Sequence, residues 1–195
     1  MWPWEHLAFG YLLYSLYCRI VQRESPGSPD TLVLVFTTQL PDIVDKPLAW
    51  VFGVLPSGLS LGHSLVVGLP VCLLVVTIAR RTGRAELGNA YCVGFLSHVA
   101  GDLLYPLMLG GRPDPRFLLW PLASSESMTG EPFVVRVGRL WKSFEAFTAM
   151  PRGQVYLAVE AVFLVATVAL WLADGCPGVR SSFGPSSEAG GDDAG

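Results

Sequence analysis

Charge is what this chain has least of: only 15% of its 195 residues are Asp, Glu, Lys or Arg, where soluble domains carry about a quarter. Lysine is nearly missing, with Lys46 and Lys142 alone. The formal net charge is -3, so no basic surface points to a nucleic-acid partner. The four cysteines, Cys18, Cys72, Cys92 and Cys176, form no C-x-x-C pair. That argues against a zinc ribbon or a thioredoxin-like redox motif, and they read as small apolar packing residues. The beginning, Met1-Trp2-Pro3-Trp4-Glu5-His6, lacks a basic region and a small-residue cleavage site. The first apolar run therefore reads as a retained helix rather than a signal peptide. No internal repeat is present.

What the chain does have is apolar residues, 51% of the total, gathered into long runs. Such blocking is the mark of a protein whose solvent is lipid. Runs at 4–20, 31–40 continuing through 48–55, 61–79, 87–109 and 155–173 come close to the roughly 20 residues that cross a bilayer. The expected fold is all-α, a polytopic transmembrane bundle of about five helices with a polar loop, 110–152, between the last two. Pro41 to Pro47 interrupts the second run with proline and charge, which predicts a broken helix facing protein or a wet cavity. Residues 1–174 then form one membrane domain, and 175–195, rich in Gly, Ser and acid, read as a disordered tail. The short loop Arg80-Arg81-Thr82-Gly83-Arg84 belongs in the cytoplasm by the positive-inside rule, as do Arg19 and Arg23.

Only three histidines occur, His6, His63 and His98, and each lies at or within an apolar run. His98 and Asp102 are four apart, which puts imidazole and carboxylate on one helical face. Ionisable groups at such depth are costly and functional by default. The alternating topology places His6, Asp42, Asp45, His63, His98 and Asp102 toward the same side of the membrane. Imidazole with carboxylate suits zinc, and also manganese or iron(II). The expected cofactor is thus a divalent metal ion held by His6, Asp42, His63, His98 and Asp102. Asp45 reads as a further ligand, and Glu145 as a weaker candidate acid or ligand.

These motifs carry a resemblance. Glu5-His6-Leu7, Leu40-Pro41-Asp42, His63-Ser64-Leu65, Gly94-Phe95-Leu96-Ser97-His98 with Asp102, and Leu119-Trp120-Pro121 resemble, in order, the membrane-bound metal-dependent hydrolases that include the LexA-regulated inner-membrane hydrolases. The spacing of Asp42 and Asp45 is wider than the family's compact P-D-x-D. An upstream histidine of its H-R-G-x-T-H-S stretch is replaced within Pro56-Ser57-Gly58. More distantly, one Asp, one His and an H-x-x-x-D pair are similar to one zinc site of the zinc-dependent phospholipases C. By that resemblance Asp42, His63, His98 and Asp102 share one ion, with His6 and Asp45 able to reach a second.

The resemblance implies hydrolysis of a lipid or lipid-linked phosphoester in the inner or plasma membrane, with Asp45 catalytic. Trp120 and arginines of the polar loop are then expected to hold the headgroup. Two rivals stand beside it. Buried acids and histidines also serve proton or metal-ion transporters, and Glu160 in the last run keeps that reading open. A metal-stabilised scaffold without turnover is the other.

Overall fold

The computed structural model describes residues 1–123 and 133–179, and among them every regular element is helical. Seven α-helices follow in order: α1 Pro3–Tyr17, α2 Ser28–Thr37, α3 Leu40–Trp50, α4 Leu65–Arg81, α5 Ala85–Met108, α6 Phe133–Thr148 and α7 Pro151–Ala173. A π-helical turn, Cys18–Gln22, extends α1, and a 3-10 turn, Pro115–Leu119, follows α5. The long helix α5 is the axis of the bundle, flanked by α1, α2 and α4. Two apolar nuclei hold it. Tyr11, Tyr14, Cys18, Leu34 and Ala90 join α1 and α2 to α5. Cys72, Phe95, Val99 and Phe117 join α4 and the 3-10 turn to its other side.

The ends of these helices follow local chemistry. The Glu5 carboxylate accepts the Trp2 backbone N–H at 2.6 Å and closes the first turn of α1, and Asp30 does the same for Gly27 at 3.1 Å in α2. Ser64 Oγ caps α4 by accepting the Val67 N–H at 3.3 Å. All four cysteines are free thiols, two of them buried.

Three expectations change. The break in the second run falls at Thr38-Gln39, and the stretch from Pro41 to Pro47 is itself helical, as most of α3. Pro41 sits within the first turn, where no N–H is needed, so it starts a helix rather than ending one. The loop 110–152 is not loop throughout, because α6 occupies residues 133–148. Its apolar residues are scattered among Arg136, Arg139 and Lys142, which hid an amphipathic helix inside a polar composition. The expected tail begins with turns at Gly175–Val179 that dock on the bundle: the Gly178 N–H donates to Ser28 Oγ at 3.0 Å, and Trp171 Nε1 donates to the Pro177 carbonyl at 3.1 Å. The remainder of that tail, 180–195, lies outside the described residues.

By length and composition alone, one helix among the described residues, α7, is long and apolar enough to cross a membrane. α1 and α4 have 15 and 17 residues.

Candidate metal centre

The gap between α2 and α3 leaves the Thr38 carbonyl outside a regular helix, and His98 Nδ1 of α5 lies 2.6 Å from it. A carbonyl only accepts, so Nδ1 carries the proton and Nε2 is left as a bare lone pair. Asp45 does the corresponding work for His63. Fully buried in α3, it accepts the backbone N–H groups of Ser60 and Gly62 at 2.7 Å each and that of His63 at 3.3 Å. His63 Nδ1 lies 2.8 Å from the same carboxylate. Gly62 allows this turn to touch α3, because a Cβ there would stand 2.8 Å from the Pro41 carbonyl oxygen. The ring of Phe117 meets His63 edge-on at 6.1 Å.

Both imidazoles thus turn Nε2 inward, and these two atoms are 3.0 Å apart. Asp102 Oδ2 lies 3.2 Å from His63 Nε2 and 3.6 Å from His98 Nε2. Asp42 Oδ1 lies 3.6 Å and 3.9 Å from the same two atoms and has no hydrogen-bond partner. Four lone-pair donors from Asp42, His63, His98 and Asp102 therefore converge, all within 4.8 Å of one another. Donors bonded to a tetrahedral zinc at roughly 2.0–2.1 Å stand about 3.3 Å apart, so the spacing fits a small ion. The chain itself supplies positive charge only at the edge, where the Met1 N-terminal ammonium lies 2.5 Å from Asp102 Oδ1 and Lys46 pairs with Asp42 Oδ2; the inner oxygen of Asp42 is left unpartnered, which burial makes costly. The donor set and the orphaned Asp42 oxygen fit a divalent metal. Asp102 and Asp42 retain slight exposure, side-chain values of 9% and 10%, while both histidines have none. The carboxylate edge is the open side.

His6 stands just outside this group. Its ring stacks on His98 with centroids 3.7 Å apart, and its Nε2 is 3.2 Å from the other oxygen of Asp102. Neither of its ring nitrogens has a hydrogen-bond partner, although it is fully buried. Asp45 lies behind His63, with both oxygens taken by N–H groups, rather than at the ion's side. Trp120 touches the site through its backbone: its carbonyl accepts Ser64 Oγ at 2.6 Å and ties the segment after the 3-10 turn to the start of α4. Glu145 is exposed on α6, and Glu160 accepts Trp4 Nε1 at 2.6 Å.

The helical spacing of His98 and Asp102 and the convergence of three separate segments agree with this arrangement. The role of Glu5 was missed. It is buried next to His6 and accepts the hydroxyl of Tyr156 from α7. A lone acid in the first turn of an apolar run was the available signal.

The model of the YdjM inner membrane protein family matches residues 1–175, nearly all that the structure describes. The chain belongs to that family. Membership places it among inner membrane proteins and agrees with its resemblance to the LexA-regulated inner-membrane group. The match takes in α1 to α7 and every residue of the candidate centre. No curated protein and no solved structure matches the chain.

Proposed function

We propose that this family member is a multi-pass metal-dependent hydrolase acting on a lipid or lipid-linked phosphoester. The observation that carries the metal reading is the pair of imidazole Nε2 atoms 3.0 Å apart, flanked by two carboxylates. Zinc is the ion that this nitrogen and oxygen set suits best, with manganese or iron as alternatives. When bound, such an ion polarises a phosphoryl oxygen and makes water a nucleophile near neutral pH. His63 and His98 supply neutral nitrogen ligands, oriented by Asp45 and the Thr38 carbonyl. Such outer partners fix the tautomer and raise ligand basicity. Asp45 is on this reading a positioning residue and not the general base. Asp42 and Asp102 supply the charge that holds the ion, and His6 braces Asp102.

The multi-pass reading rests on what the bundle exposes. Leu32 and Phe36 of α2, Leu73 and Leu74 of α4 and Val162 and Val165 of α7 are all more than half exposed. In water, exposed apolar area on this scale promotes association; in lipid it is the ordinary outer surface. The histidine end of the bundle then lies at the outer face and the Arg80-Arg81 loop at the inner face.

A second reading, a metal-stabilised scaffold, is favoured by one observation: four protein donors suffice to close a tetrahedral site. Purified protein should be assayed for metal content, then for release of headgroup or phosphate from phospholipid and phosphodiester substrates, with and without a chelator. About one zinc per chain with chelator-sensitive turnover is the expected result. Bound metal without turnover on any of them would favour the scaffold, and substoichiometric metal at neutral pH would sink both.

A further inference from the structure

Helix α6 runs across one end of the bundle. Its inward side is Arg136, Phe144 and Phe147. The Arg136 guanidinium lies 5.4 Å from the ring centroid of Trp50, and the Phe144 and Phe147 rings meet those of Trp2 and Tyr156 edge-on at 4.9 Å and 5.6 Å. Phe133 stands a further 6.3 Å from Trp50. Trp50 ends α3 and Trp2 precedes α1, so α6 is tied from one to the other at the histidine end. Only Ala149 and Met150 separate it from α7, the one helix among the described residues long and apolar enough to cross a membrane. The corner is tight. A Cβ on Gly153 would stand 2.0 Å from the Phe147 carbonyl oxygen, so only glycine lets the last turn of α6 rest on the first turn of α7. With 16 residues, α6 is about 24 Å long. A helix of that length, turning so sharply at the start of a spanning helix and crossing the end of the bundle, lies near the plane of the membrane surface.

The two remaining sides of α6 differ in character. Val134, Val137 and Trp141, spaced three and four apart, form one flank and are 77%, 43% and 61% exposed. Arg139, Lys142 and Ala146, with the same spacing, form the opposite flank and are exposed too. A helix packed only to bury apolar area would not leave the first flank outside. An apolar flank beside a basic one is the pattern of a helix lying in the membrane interface. The first sinks to the acyl boundary and the second stays among headgroup phosphates. Trp141 fits that level, since indole rings gather at the headgroups. Charge chooses the partner. Arg136, Arg139 and Lys142 stand on α6 against Glu145 alone, whereas the whole chain has a net charge of -3. A basic helix in an acidic chain complements an anionic leaflet, to which each cation near the surface adds attraction.

On the reading of α7 as membrane-spanning, we propose that the Val134, Val137 and Trp141 flank, with Lys142 beyond it, docks α6 into the headgroup layer of an anionic leaflet at the histidine end of the bundle. The test uses the full-length protein in phosphatidylcholine vesicles with and without phosphatidylglycerol. Cys92→Ser and Cys176→Ser leave only the two buried thiols, and a nitroxide is attached to one added cysteine at a time. Its collisions with oxygen, which partitions into lipid, and with a water-soluble nickel chelate are then measured. In the anionic vesicles Val134→Cys should be open to oxygen and protected from nickel, and Ala146→Cys on the basic flank the reverse. Val137→Cys repeats the measurement on the apolar flank. Omitting phosphatidylglycerol, or adding Lys142→Glu, should raise nickel collision at Val134→Cys severalfold. Equal nickel access at positions 134 and 146 in the anionic vesicles would overturn the docking. Protection indifferent to both phosphatidylglycerol and Lys142→Glu would overturn the anionic leaflet as partner. Protection that comes with spin–spin broadening and disappears on dilution into excess lipid would put a second copy on this flank instead. Val162→Cys, midway along α7, should be open to oxygen throughout. Nickel access at position 162 with position 134 protected would overturn the spanning reading of α7 and leave the docking of α6 standing.

Discussion

The two ends of α1 look onto buried carboxylates in different states. Near its C-terminal end Asp174, with no side-chain exposure, accepts Tyr11 Oη at 2.8 Å, Ser15 Oγ at 2.7 Å and Arg19 Nε at 3.1 Å. Asp30 beside it accepts Tyr14 Oη at 2.6 Å and the Gly27 N–H at 3.1 Å. Every interaction there joins a donor to an acceptor supplied by the chain. Near its N-terminal end, His6, His63, His98, Asp42 and Asp102 face one another; the Met1 ammonium and Lys46 reach one carboxylate oxygen each, while Asp42 Oδ1 and both His6 nitrogens have no hydrogen-bond partner. A polar cluster complete in itself holds helices together. One that leaves buried polar atoms unpartnered has a place for a cation from outside.

If that contrast is right, the largest effect comes from the incomplete cluster. His98→Ala and Asp102→Asn should each abolish metal binding, measured as metal per purified chain. Retention by both would make the cluster a hydrogen-bonded one and move the transport reading forward. Removing the ion with a chelator should lower apparent thermal stability by about 3 kcal/mol, the linkage expected when a metal near 100 times its Kd is withdrawn. A melting curve indifferent to chelation would erase the difference between the two ends.

Asp45→Asn sharpens the comparison by touching the orienting layer alone. It should weaken metal binding about 10- to 100-fold without abolishing it, as loss of an outer partner does. A competition titration against a chromogenic chelator reads this, and total loss would make Asp45 a ligand. At the complete end, Asp174→Ala should cost about 1–3 kcal/mol by orphaning buried donors while leaving metal content at the wild-type level. Smallest of all, Glu160→Gln should change stability by no more than about 0.5 kcal/mol and leave metal content untouched, because its bond to Trp4 is exposed. Loss of metal in Glu160→Gln with retention in His98→Ala would put the centre in the wrong place.

Much of this architecture is legible in the residues alone. Apolar runs bounded by Pro, Gly and Arg marked α1, α4, α5 and α7 to within a few residues, because a helix in an apolar setting needs continuous hydrophobic length and little else. The i, i+4 spacing made His98 and Asp102 neighbours whatever the packing. The amphipathic helix α6 was hidden, since its apolar residues are interspersed with cations and only its docking on Trp50 shows which side chain is inward. Asp45 read as a base or a ligand because composition does not reveal which carboxylate oxygens are already taken by backbone N–H groups. For Trp120, the contact that matters is made by its carbonyl, which every residue has.

Residue types and spacing, by themselves, therefore determined an all-helical chain of long apolar segments with three histidines and their acids gathered toward one end. Tertiary structure decided what those groups can do. The Thr38 carbonyl and the Asp45 carboxylate each engage one imidazole through Nδ1 and aim two Nε2 atoms at a common point. Those two hydrogen bonds join groups 60 and 18 residues apart. Only the packing of α3, α4 and α5 brings them into reach, so the direction of a lone pair, which decides whether a histidine binds a metal or a proton, is a property of the fold.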